Sequence, residues 1–373
     1  MREPPVLTPI DETLVRHGDR TEVSFTGSDY FRLSRHPAVR RAAAEGVRAF
    51  GAGACASRMT TGNLPIYERL EQALTKYFGG RCATLTSAGY TAPLVVAQAL
   101  APDHDRVLLD SKAHGCLRDA AALTGAPVAE FRHGDPEDLG RILASGRARG
   151  RALVLCDGLS AVDGQVPPLR EFREVLGDRG TLVVDDAHGA GVLGDRGRGS
   201  VEWCGVSLSR VVVTLTLSKA FGTYGGVILG DRSLRARILE RSRLFTGNTP
   251  PAPPMAAAAL EAVRILETSG DSLRARLRSR IKAIPAALRA SGAPSGPGPG
   301  PMFSVSPRTP AGVRRLCRDL REAGIYPPLI RYPNGPAAQY FRFAISSAHT
   351  AEQVERLVFV LESSLRREGA SKR

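Results

Sequence analysis

Behind Asn63, a candidate N-cap, and Pro65, suited to a first helical turn, Ile66, Leu70, Ala73, Leu74 and Tyr77 recur at helical spacing until Gly79-Gly80 ends the run. The pattern then changes to short apolar runs separated by helix-length segments: Cys82–Thr86, Arg106–Leu109, Pro127–Phe131, Ala152–Cys156, Thr181–Val184, Val211–Thr216 and Gly226–Gly230. Runs this short and this rich in Val and Leu predict buried strands. Their alternation with helices predicts a largely parallel sheet covered on both faces. The large domain is therefore expected to be α/β. From about Asp231 the pattern is helical to Arg289, and Ser291–Pro301 (SGAPSGPGPGP) reads as a flexible connection. A strand at Met302–Ser306, a helix from Ala311 to Ala323, a strand at Tyr340–Ser346 and a last helix from Ala351 predict a smaller α+β domain. The expected division is an N-terminal segment 1–45, a large domain 46–262 and a small C-terminal domain 263–373.

Composition narrows the function. Of 373 residues 43% are apolar and 24% charged, which suits a folded globular chain and excludes a disordered one. No stretch is apolar for long enough to span a membrane, and Met1-Arg2-Glu3-Pro4-Pro5 lacks the core of a secretory signal, so a cytoplasmic protein is expected. The six cysteines (Cys55, Cys82, Cys116, Cys156, Cys204, Cys317) are scattered without C-x-x-C spacing, and read as small core residues with no metal or disulfide role. The net charge of +14 comes from 51 basic residues, of which only five are Lys. The arginines are dispersed, without the aromatic interleaving of a nucleic-acid groove, so no nucleic-acid partner is expected. A phosphorylated cofactor and an anionic acyl carrier suit this charge better.

Two segments carry candidate chemistry. In Thr214–Gly226 (TLTLSKAFGTYGG) a β-rich run ends at Ser218-Lys219 and passes into glycines. A lysine desolvated at a strand end has the lowered basicity that a Schiff-base nucleophile needs, although a plain surface lysine fits the same local pattern. In Thr181–Gly199 an apolar strand runs directly into Asp185-Asp186-Ala187-His188. Carboxyl ends of strands in an open α/β sheet face the ligand crevice, so Asp185 and Lys219 are candidates for one pocket. A buried Asp185 there would hold a pyridinium nitrogen, with His188 reaching a phenolic oxygen on the same ring; an Asp capping the next turn is the simpler alternative.

The pair DDAHGAGVLGDRGRG and TLTLSKAFGTYGG resembles the α-oxoamine synthases, a branch of the fold-type-I pyridoxal phosphate enzymes that includes 8-amino-7-oxononanoate, 5-aminolevulinate and 2-amino-3-ketobutyrate synthases and serine palmitoyltransferase. The resemblance runs from about Asp29 to Arg366. It implies a mostly parallel seven-stranded sheet in the large domain, with pyridoxal 5'-phosphate as cofactor. Lys219 would bind the cofactor aldehyde, Asp185 the pyridine nitrogen and His188 the ring hydroxyl. His114, in DSKAHG, would stack over the ring. Gly89 and Tyr90, in the turn Ser87-Ala88-Gly89-Tyr90, and Thr216 would hold the phosphate, as backbone donors at a helix N-terminus do. Phe245–Pro254 (FTGNTPPAPP) resembles a loop that crosses to the neighbouring subunit, so Thr249, or Thr246 in a looser register, would reach that subunit's phosphate and make a homodimer with shared active sites. Arg342, in YFRFAISSAHT, would take the amino-acid carboxylate through its planar fork.

Some positions depart from the family's pattern. In Asp157–Gly164 (DGLSAVDG) Ala161 stands where a serine contacts the cofactor oxygen; Tyr67 replaces a common His, Pro93 an Asn, and Asp29-Tyr30-Phe31-Arg32 the usual N-Y-L-G. The resemblance implies an acyltransferase that condenses an amino acid with an acyl thioester, on coenzyme A or an acyl carrier protein, and loses carbon dioxide to give an α-amino ketone. The departures favour a specialised biosynthetic pathway. A PLP-dependent aminotransferase, aldolase or lyase on the same cofactor and a non-catalytic partner subunit are the competing readings.

Overall fold

The computed structural model describes residues 4–145, 150–291, 296–331 and 335–370. Near the N-terminus β1 (Thr8–Pro9), β2 (Leu14–His17) and β3 (Arg20–Val23) form an antiparallel sheet. The seven apolar runs then become β4 (Cys82–Thr86), β5 (Arg106–Asp110), β6 (Val128–Phe131), β7 (Ala152–Asp157), β8 (Gly180–Asp185), β9 (Val211–Thr216) and β10 (Gly226–Gly230). They lie in one sheet of order β4-β10-β9-β8-β7-β5-β6, in which only β10 runs against its neighbours. This is the α/β, mostly parallel sheet expected of a fold-type-I enzyme.

Strand alternation explains the core. Val107 and Leu109, Leu153 and Leu155, with Val183, Val212 and Ile228, share a buried cluster with the helices Thr91–Leu100, Gly115–Leu123 and Arg232–Arg241. Each such side chain contributes roughly 1.5–3 kcal/mol of burial. A further antiparallel sheet, of order β11-β13-β12, comes from β11 (Met302–Val305), β12 (Leu329–Ile330) and β13 (Tyr340–Ala344).

The chain divides into two compact units. Leu33–Leu159 joins Val166–Asp271, whereas the described residues up to Arg32 join Ser160–Gln165 and the chain from Ser272 onward. The expected segment 1–45 is thus split. Val23 N–H donates to Gly324 O and Ala344 N–H to Phe25 O, both at 2.8 Å, which tie the first residues to the C-terminal sheet. The expected boundary at 262/263 falls inside the continuous helix Pro253–Lys282. In the expected flexible connection, 292–295 lie outside the described residues. Asn63 is not the N-cap: that position is Leu64, and the Asn63 amide accepts from Arg58 Nε (2.8 Å) and donates to Glu68 (3.0 Å). Among the described residues no helix is long and apolar enough to cross a membrane.

Candidate active site

The middle strands of the large sheet carry their polar residues at their carboxyl ends. Asp157 of β7, Asp185 of β8 and Thr214 of β9 are register partners. Asp185 is buried, and its two oxygens accept from Thr214 Oγ1 (3.3 Å) and Cys116 Sγ (3.2 Å). His114 caps the helix Gly115–Leu123, its Nδ1 accepting from Cys116 N–H at 3.3 Å, so the neutral ring carries its proton on Nε2. The backbone N–H of His114 donates to Asp157 Oδ2 at 2.9 Å. One network therefore joins His114, Cys116, Asp157 and Asp185.

Its electrostatics are unbalanced toward negative charge. Burial and then the adjacent Asp185 push the Asp157 carboxyl well above its ordinary range, against the pull of Lys219. Burial lowers the basicity of His114, Asp185 opposing and Lys219 adding to the effect, so the imidazole is neutral. Burial and Asp185 together raise the Cys116 thiol and keep its proton on sulfur. Half-buried Lys219 follows β9 in a turn closed by Gly222 N–H to its carbonyl, and its charge reaches all three groups.

Gly89 lies against β9: a Cβ there would stand 2.5 Å from Thr216 Cβ. A Cβ on Gly226 would stand 2.2 Å from Ala88 O. The turn before the helix Thr91–Leu100 fits only because both positions are glycine. Gly89 N–H has no partner among the described residues, and the helix N-terminus stands behind it. Tyr90 stacks edge-on to His114 (centroids 6.1 Å, 72°) and donates its hydroxyl to Asp119 at 2.5 Å. The structure thus brings together Lys219, Asp185 and His114, and sets Gly89 against Thr216. His188 is half-buried in the turn after β8. Thr249 is exposed, Thr246 is half-buried at a helix end, and Asn248 between them donates to Ser87 Oγ at 3.0 Å.

Arg342 belongs to the other unit, on β13 opposite Ser304, where its charge acts on the buried phenol of Tyr30. In that unit the Ser160 hydroxyl accepts from Val162 N–H at 3.3 Å, so it is engaged in its own turn beside Ala161. Tyr67 is buried and donates to Pro251 O at 2.7 Å, with Arg58 5.5 Å over its ring. Pro93 is buried in the helix Thr91–Leu100. Sequence reasoning passed over Asp157 and Cys116. Asp157 had the signal of an acid closing an apolar run, whereas Cys116 had none, since its partner Asp185 is 69 positions away.

Residues 21–361 match the family described as aminotransferase class I and II. The chain belongs to this family. It is 36% identical over 366 residues to the 8-amino-7-oxononanoate synthase of Methylococcus capsulatus, covering 97% of this chain and 94% of that protein. Serine palmitoyltransferase from S. paucimobilis, solved with PLP and myriocin, superposes with a TM-score of 0.90 at 25% identity, covering 98% of this chain and 93% of the other. The Sphingomonas wittichii serine palmitoyltransferase gives 0.88 at 28%, covering 99% and 94%. Within the family the chain is an α-oxoamine synthase, a PLP-dependent acyltransferase that condenses an amino acid with an acyl thioester and releases carbon dioxide.

The residues present fit that cofactor on two observations. Asp157 and Asp185 end neighbouring strands side by side, Asp185 buried, and so offer a carboxylate acceptor that a protonated pyridine would meet. The cradle of Gly89 and Gly226 leaves backbone donors, and no side-chain bulk, at a helix N-terminus.

Proposed function

We propose that Lys219, Asp185, His114, His188, Gly89, Tyr90 and Thr216 hold pyridoxal phosphate, and that the substrates are alanine and a seven-carbon dicarboxylic acyl thioester. The substrates follow from the product in the relative's name: disconnecting 8-amino-7-oxononanoate between C7 and C8 leaves a two-carbon amine, which is alanine less carbon dioxide, and a seven-carbon diacid. When bound, the cofactor supplies an electron sink that makes the amino acid's Cα–H acidic. Lys219 Nζ, as the neutral amine, would take that proton, from its half-buried place in the turn after β9. Asp185 accepts from the pyridine N–H and keeps it protonated. His114 offers Nε2–H to the thioester carbonyl. Arg342 takes the amino-acid carboxylate by the resemblance alone, and Thr249 serves the partner's phosphate in a homodimer. The thioester arrives on coenzyme A or a carrier protein, both anionic and both suited to a net charge of +14.

The observation that carries this reading is the clustering of Lys219, Asp185, Asp157 and His114 at the carboxyl ends of β7, β8 and β9. Borohydride treatment of the holoenzyme followed by peptide mapping tests it, with pyridoxyl mass expected on the Lys219 peptide. Incubation with alanine or serine, each with and without heptanedioyl-CoA, then reads the reaction. Carbon dioxide and an amino ketone should form only from alanine with the thioester. A keto acid formed without thioester would replace this reading with transamination.

A further inference from the structure

Cys116 has no part in the chemistry above, yet its sulfur contacts both the side chain assigned to the face of the ring, His114, and the one assigned to its nitrogen, Asp185. We propose that, in the absence of the organic cofactor, this pocket binds one thiophilic divalent cation, zinc being the best match, through His114 Nδ1, Cys116 Sγ and Asp185 Oδ2. The donor atoms all lie within 4.8 Å of one another. Sulfur is 3.0 Å from the imidazole nitrogen and 3.2 Å from the carboxylate oxygen. Zinc bonds of about 2.0–2.2 Å to N and O and about 2.3 Å to S, set tetrahedrally, put neighbouring ligands roughly 3.3–3.6 Å apart. The two sulfur pairs need to open by only a few tenths of an ångström, and the nitrogen–oxygen pair, which lies within 4.8 Å, to settle at roughly 3.3 Å.

The chemistry of the donors selects the ion. Sulfur and imidazole favour zinc or cobalt over magnesium or calcium, which take oxygen ligands. Binding forms a metal–sulfur bond, and the thiol proton leaves to solvent. The thiolate and the Asp185 carboxylate then cancel the two charges of the cation. Outer partners already fix the ligands: Thr214 Oγ1 donates to the other oxygen of Asp185, and Asp157 holds the His114 backbone. Asp185 and Cys116 are 6% and 2% exposed, so two of the ligands sit on packed elements. Three protein ligands leave a fourth position for water. The site rests on this geometry alone. Its exclusion by pyridoxal phosphate rests in addition on the assignment of His114 and Asp185 to that cofactor.

The test uses the full chain, stripped of pyridoxal phosphate and titrated anaerobically with Co²⁺ and then Zn²⁺. One Co²⁺ per chain should bind, with a sulfur-to-cobalt charge-transfer band and tetrahedral d–d bands that Zn²⁺ abolishes. Cys116→Ser should lose the sulfur band and weaken binding by more than the roughly 10–100-fold cost of losing an outer-shell partner. Cys55→Ser, at an exposed thiol, should change neither. Absence of the band in the wild type, or its survival in folded Cys116→Ser, overturns the site. Asp185→Asn, read by the d–d bands, supplies a second variant should Cys116→Ser not fold. If saturating pyridoxal phosphate leaves the cobalt band unchanged, the metal site stands and the cofactor assignment of His114 and Asp185 falls.

Discussion

A β-carbon at Gly89 would sit 2.5 Å from Thr216 Cβ and 2.7 Å from its Oγ1, so Gly89→Ala must displace either the turn or β9. Overpacking of this kind costs about 1–3 kcal/mol, and pyridoxal phosphate affinity should fall by roughly 5- to 150-fold. At Gly115 the nearest atom to the same addition is Tyr90 Oη at 3.6 Å, so Gly115→Ala should bind the cofactor as the wild type does. Fluorescence titration of both variants separates a cradle that needs glycine from a general intolerance of methyl groups. Asp186 calls for a pH experiment. It is fully buried, and burial outweighs its hydrogen bond from Ser200 N–H (2.8 Å), pushing its carboxyl up to about 7. An acid whose folded pKa is raised stabilises the native state in its protonated form. That contribution is complete below about pH 4 and disappears as pH rises to about 7. Asp186→Asn removes the titration. The melting temperature of the variant relative to wild type should climb between pH 4 and 7 and level off above, a difference on the order of a few kcal/mol. A difference that stays flat with pH would place the proton elsewhere.

Between elements, the buried carboxylate of Glu71 ties three segments together. From the helix Pro65–Tyr77 it accepts from Arg58, from Arg235 of the helix Arg232–Arg241 (3.1 Å) and from Leu85 N–H of β4 (2.9 Å). Burial alone would raise its carboxyl, but the two arginines outweigh it and hold it below the ordinary range. Glu71→Ala strands buried guanidinium charge and should cost about 3–5 kcal/mol in urea unfolding, with Arg58→Ala close behind and an exposed pair such as Lys76–Glu267 near zero. None of this was legible in the sequence, because its partners are 13, 14 and 164 positions away. Six of the seven strands of the large sheet were legible as runs of five or six residues buried by their own apolar content, whereas β6 was legible as a run but is not a buried strand, only Phe131 of its four residues being buried. β1, β2, β3 and β12 were not, being only two to four residues long, the first three with polar residues among them and β12 a bare Leu-Ile pair, each placed by its pairing. The site divides the same way. Lys219 and Asp185 stand out where apolar runs end, whereas the Cys116 to Asp185 bond and the fit of Gly89 to Thr216 exist only once β8 and β9 have been brought beside the helices.

At the scale of the whole molecule the question is whether one chain makes a complete site. Thr249 is exposed in the isolated chain, as a residue destined for a neighbour must be, yet Asn248 beside it is bonded to Ser87 of its own phosphate turn. The loop therefore has a local anchor that is equally compatible with service to its own site. A hybrid dimer decides between these geometries, because each contribution is lost from a different chain. Suppose one subunit carries Lys219→Ala and the other Thr249→Val, with different affinity tags so that the mixed dimer is purified. If Thr249 acts across the interface, one site lacks both residues and the other lacks neither. The hybrid should then bind about half the cofactor of the wild type, at wild-type affinity. If Thr249 serves its own chain, one site lacks the lysine and the other the threonine, and no site in the hybrid should bind better than the Thr249→Val homodimer. The affinity of the surviving site, more than its number, carries the answer. That affinity also fixes whether dilution to monomers should strip the enzyme of cofactor, which the trans arrangement requires and the cis arrangement does not.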